Sequence, residues 1–120
     1  MNVQRQDDST YYTHGTSAER WSRARMYFEA KEFAPAARVL VDLVAEEPGR
    51  QDTRLLLARA YYHSAQLSRA ERELRVLVEG DPVEQYARLM LGRTLQRQGR
   101  DEEAVPHLRL AAALGGEFPG

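Results

Sequence analysis

A chain of 120 residues, 42% hydrophobic and 29% charged, has the size and composition of one ordinary globular domain. Seventeen basic against eighteen acidic side chains leave a formal charge of -1, so no global field draws nucleic acid or an anionic membrane. Cysteine is absent, which excludes disulfides and thiolate chemistry, and no apolar run approaches the roughly 20 residues of a membrane span.

In chain order, residues 1–16 are polar, lack the apolar stretch of a signal peptide, and are expected to form a disordered tail. From Ser17 the apolar residues recur at the three-to-four-residue spacing of helix stripes. Helices are predicted over Ser17–Ala30 and Ala34–Glu46, with Pro35 harmless in a first turn. Glu47-Pro48 ends this unit, because the residue before proline avoids helical geometry. The next unit predicts helices over Asp52–Ser64 and Ser68–Glu79 and stops at Asp81-Pro82. Small Ala58 and Ala70 stand where two antiparallel helices must come close, and large Tyr61 and Leu74 fill the space between them. The last unit predicts Glu84–Gln98 and Glu102–Leu114. Gly99 is suited to a left-handed cap, Asp101 to the following N-cap, and Pro106 to a mild bend or frayed start. Nothing alternates with period two, so the class is all-α.

These units repeat. An offset of 34 places Ala36 on Ala70 and Ala104, Leu40 on Leu74 and Leu108, and Pro48 on Pro82. Ala24 falls on Ala58 and Gly92, and Tyr27 on Tyr61 and Leu95, with no gap. The repeats run 17–50, 51–84 and 85–118, one domain of residues 17–118. Their landmarks resemble the tetratricopeptide repeat: Leu57-Ala58, Tyr61, Ala70, Leu74 and Pro82 in the second unit, Leu91-Gly92, Leu95, Ala104 and Leu108 in the third. Departures are Arg23 for an apolar residue, Gly116 for proline, and Arg20, Arg54 and Arg88 for the frequent tryptophan. The resemblance implies a right-handed superhelix, an α-α solenoid of three helix-turn-helix units that binds other proteins and carries no catalysis.

In such a solenoid the first helix of each pair lines the concave wall. A helical wheel places Trp21, Arg25 and Phe28, then Leu55, Arg59 and Tyr62, then Leu89, Arg93 and Arg97 on that wall. Arg25, Arg59 and Arg93 form a column, and Trp21, Leu55 and Leu89 an apolar column beside it. Arginine and aromatic side chains are enriched at interface hot spots. A peptide with acidic or carboxylate groups would satisfy this surface. Sixteen of the seventeen basic residues are Arg, however, and a GC-rich genome and repeat duplication explain a recurring arginine equally well. The family's carboxylate clamp does not carry over, since Trp21, Arg25, Leu56, Tyr86 and Met90 stand in its places and only Arg25 is cationic.

The last helix carries Val105, Leu108, Ala112 and Leu114 with only Gly115–Gly120 to follow, which suggests self-association, a homodimer for example. His14, His63 and His107 have no metal-site spacing, and no phosphate loop or catalytic triad is visible, so neither metal nor cofactor is expected. The expected protein is a cytoplasmic, bacterial adaptor or scaffold. The alternative class is an RNA-binding helical repeat, which the balanced charge and short track disfavour.

Overall fold

A computed structural model describes residues 14–115 of the chain. It contains α1 (Ser17–Glu29), α2 (Phe33–Glu46), α3 (Gln51–His63), α4 (Leu67–Gly80), α5 (Gln85–Arg97) and α6 (Asp101–Gly115), with no strand among the described residues. Each helix packs on the next in sequence, giving an all-α solenoid of helical hairpins. Every helix end lies within one residue of its predicted place. The tail expected over 1–16 falls mostly outside the described residues.

Three local devices fix these ends. Thr16, placed in the tail by sequence, is the N-cap of α1: its hydroxyl accepts from the Glu19 amide at 3.1 Å, and Glu19 accepts from the Thr16 amide at 2.8 Å. Within each hairpin the turn holds one residue in left-handed backbone: Lys31 (φ 61), Ala65 (φ 60) and Gly99 (φ 77), all in register. The following amide then reaches back to close the helix end, Glu32 to the Tyr27 carbonyl, Gln66 to Tyr61 and Arg100 to Leu95, at 2.8, 2.8 and 2.9 Å. The third device is the junction between hairpins, where Glu84 accepts from the Ala87 amide to cap α5.

Two expectations change. Asp101 is the first residue of α6 and not its N-cap, because the Arg100 carbonyl already accepts from the Ala104 amide. Pro106 sits inside an unbroken helix, neither fraying its start nor ending it. A proline there removes one hydrogen bond, and the packing of Ala104 and Ala111 on either side outweighs that loss.

The core forms two clusters. One joins α1, α2 and α3 around Leu40 and Leu57; the other joins α3 to α6 around Leu74, Leu91 and Leu95. All five leucines are 0% exposed. Full burial of one such side chain contributes about 1.5–3 kcal/mol. Where α5 crosses α6 the register position held by Ala24 and Ala58 becomes Gly92, and a Cβ there would come within 2.5 Å of Leu108. Glycine leaves room there for the Leu108 side chain.

Candidate functional site

The first helices of the three hairpins bring part of the expected wall together. Arg59 projects from α3 with its guanidinium carbon 4.7 Å from the centre of the Phe28 ring on α1 and 6.0 Å from that of Tyr86 on α5. It therefore spans all three hairpins. No carboxylate lies within ion-pair distance of it among the described residues, and its buried Nε has no acceptor. Arg97 lies 4.5 Å over the Tyr62 ring and donates to the Tyr62 carbonyl at 2.9 Å. A cation over an aromatic face is worth about 0.5–2 kcal/mol, the upper value when water is excluded.

Around these cations is an aromatic cluster that the wheel showed only in part. Phe33, the first residue of α2, stacks on His63 at 4.7 Å and meets Phe28 edge-on at 5.1 Å. Phe28 and Tyr62 also contact His63 edge-on. Burial, then the positive charges of Arg59 and Arg97, push the His63 imidazole below its usual range. The ring is therefore neutral near pH 7, held so first by burial and then by the two guanidinium groups. Arg25, Phe28, Glu29, Leu56 and Arg59 line an open hollow of about 240 Å³.

The other expected residues lie apart. Arg25 is exposed and reaches Glu29 only at 3.9 Å, and Arg93 is exposed on α5. The column of three arginines thus does not share one environment: among the described residues Arg59 has an aromatic ring on either side, whereas Arg25 and Arg93 are exposed. Trp21 packs on the first core cluster and Leu55 on the second. Leu89 is a correction: at 8% exposed it is buried and presents no groove surface. A wheel drawn for one helix contains none of the neighbours that cover it.

Arg20, Arg54 and Arg88, which stand in the tryptophan places, act within the fold. Arg20 makes a bidentate pair with Glu46 at 2.7 Å for both bonds. Arg54 donates to Glu73 at 2.6 Å and to the Pro48 carbonyl at 3.0 Å. Arg88 meets Nδ1 of His107 at 3.1 Å and donates to the Pro82 carbonyl at 2.6 Å. Each ties a first helix to the second helix of its own hairpin, and two also hold the preceding proline turn.

On α6, Val105 and Leu114 are 40% and 39% exposed, Ala112 is exposed, and Leu108 is half-buried against the core. At the other end Met26 is 69% exposed where its register partners Ala60 and Thr94 are fully buried. Arg23, in the place of an apolar residue, donates to the His14 carbonyl at 2.9 Å and so turns a polar face outward. Among the described residues no three histidine or acidic side chains cluster to hold a metal ion, and no helix is long and apolar enough to cross a membrane.

A family model described as tetratricopeptide repeat matches residues 27–90, more than half of the chain. No curated protein matches the sequence. Among solved structures, a MamA point mutant is similar at a TM-score of 0.79 and 17% identity, covering 94% of this chain and 82% of that one. MamA structures designated MSR-1 and AMB-1 give TM-scores of 0.74 and 0.76 at 19% and 18% identity, covering 83% and 86% of this chain. The chain spans just over half of those two proteins, 56% and 55%. At such identities the likeness is one of fold.

Proposed function

The chain belongs to the tetratricopeptide repeat family, a protein-interaction scaffold, and from that premise we propose that it holds a partner peptide in the wall formed by α1, α3 and α5. We take residues 17–118 as the domain, in repeats 17–50, 51–84 and 85–118, and place the protein in the cytoplasm. The observation that carries the reading is Arg59, set between the Phe28 and Tyr86 rings with no carboxylate partner among the described residues. A peptide carboxylate would gain charge-assisted hydrogen bonds from that guanidinium, and its apolar parts would lie on Phe28, Phe33 and Tyr62. Arg97 and Arg25 extend the charge to either side, and Trp21, Leu55 and Leu89 support the wall from within.

Removing both central groups, as in Phe28→Ala with Arg59→Gln, is expected to weaken partner binding about thirtyfold or more, the effect of losing a hot spot. Affinity capture from native lysate, followed by titration of the captured partner, measures it. Arg93→Gln is the control and should leave binding within about threefold. Retained binding in the double variant with an unchanged melting curve would reject the groove.

The apolar residues on α6 support a second reading, self-association through Val105, Leu108, Ala112 and Leu114. Leu114→Glu should then turn an oligomer into a monomer. Light scattering of a wild-type chain that stays monomeric at high micromolar concentration disposes of this version.

A further inference from the structure

The two junctions between successive second helices are in register but filled differently. Between α4 and α6 a carboxylate occupies the centre: Glu71 accepts from Gln98 at 3.0 Å, from Arg100 at 2.7 Å and from Arg75 at 2.9 Å. Arg100 in turn pairs with both oxygens of Glu103, at 2.7 and 2.8 Å. Burial works to raise the Glu71 carboxyl, but its three donors outweigh that and hold it at about 2. That junction is closed and internally neutralised.

One repeat earlier, between α2 and α4, the same four places carry Ala37, Val41, Gln66 and Arg69 instead of Glu71, Arg75, Arg100 and Glu103. Both carboxylates are gone, and an arginine stands where one of them was. What remains is an open cleft of about 620 Å³ whose lining includes apolar Ala37 and Val41 and the cations Arg38, Arg69 and Arg72. Glu73 also reaches this wall but is committed to Arg54 at 2.6 Å. Arg69 bonds to the Gln66 side chain, and no carboxylate among the described residues pairs with Arg69 or Arg72. Of the lining residues, Ala34 and Arg69 stand in the first turns of α2 and α4, where the helix dipoles add positive potential.

We propose that this first junction binds an acidic segment of a partner protein, one carboxylate of which takes the place that Glu71 fills one repeat later. The cations of the cleft stand on α2 and α4, with Tyr61 of α3 also in its lining, whereas the groove proposed above turns on Phe28 and Arg59, so the charged side chains of each can be removed without the other. An acidic side chain suits it better than a bare anion, because Ala37 and Val41 offer the stem of a glutamate an apolar floor beneath the guanidinium groups.

The test uses the full chain and a short polyglutamate peptide, with binding read by fluorescence anisotropy at about 0.15 M salt. Arg69→Gln with Arg72→Gln is expected to weaken binding about tenfold or more. Ala37→Glu with Gln66→Arg, which copies the Glu71–Arg100 pair of the second junction, should block it to the same extent. Both losses are read in an Arg59→Gln background, which removes the groove's central cation and should leave the cleft's share of binding in place. Arg69 and Arg72 are surface side chains, so their variant keeps the test valid should the rebuilt junction fail to fold. The proposal is overturned if wild type does not bind the peptide, if neither cleft variant weakens binding, or if Arg59→Gln abolishes it. Inorganic phosphate competing as well as the peptide at equal ionic strength also overturns it, marking a general anion hollow. So does a wild-type oligomer that Arg69→Gln with Arg72→Gln converts to monomer while peptide binding persists, since the occupant is then a second copy.

Discussion

Replacing Leu74 by alanine is expected to cost about 3 kcal/mol and to lower the melting midpoint by about 12–24 °C. Leu74 is 0% exposed in α4, the helix that packs on both α3 and α5. Its cluster includes Ala58, Ala87 and Ala104, which have no rotatable side chains to swing into the vacated space. The cavity therefore persists, and its lining loses dispersion contacts as well as transfer energy. A repeat array also amplifies the loss, because stability passes only between neighbours and α4 is the link between the second and third hairpins. Thermal and urea melts give the magnitude. A loss below about 1 kcal/mol would show that the helices close over the gap, against the rigid packing argued above.

Arg54→Ala is expected to cost about 2–3 kcal/mol, and the double replacement Arg54→Met with Glu73→Leu to recover most of it. The Arg54 and Glu73 side chains are only 12% and 15% exposed, so deleting the cation leaves a carboxylate with little access to water. The Pro48 carbonyl loses its donor in the same step. Replacing both ions by apolar groups of similar size removes the penalty along with the attraction. Arg20→Ala should cost less, about 1 kcal/mol, because Glu46 is 48% exposed and is solvated once its partner is gone. A double-mutant cycle by urea melting checks this, and a double variant as unstable as Arg54→Ala would overturn it.

Much of the architecture was legible because a local signal marks each boundary. Glu47-Pro48 and Asp81-Pro82 stop the second helices, and Gly99 marks a left-handed turn. The in-register Lys31 and Ala65 turns follow only from the repeat, since neither residue favours that backbone. The site was less legible. Periodicity places Arg25, Arg59 and Arg93 in one column, but which of them meets an aromatic ring depends on its neighbours, as Phe28 and Tyr86 do for Arg59. Phe33 escaped a wheel drawn for first helices because it belongs to a second helix and enters the wall across the Lys31 turn. The partners of Arg20, Arg54 and Arg88 escaped for another reason. Glu46 does not occupy the register position of Glu73 and His107, so no single offset links the three pairs. The cleft between α2 and α4 shows only when the two junctions are compared in three dimensions, since no motif marks a missing carboxylate.

The three hairpin turns share one backbone shape but not one local preference, and this grades the chain in its order of assembly. Gly99 adopts positive φ without penalty, whereas Lys31 and Ala65 each give up about 1 kcal/mol to do so. Before any long-range contact exists, the α5–α6 hairpin is therefore the one whose turn already favours closure, and Gly92 lets Leu108 of α6 pack directly on α5. The two earlier hairpins borrow their turns from packing that must already be present. A stack ordered in this way grows from its last unit towards its first, opposite to the direction in which the ribosome delivers it.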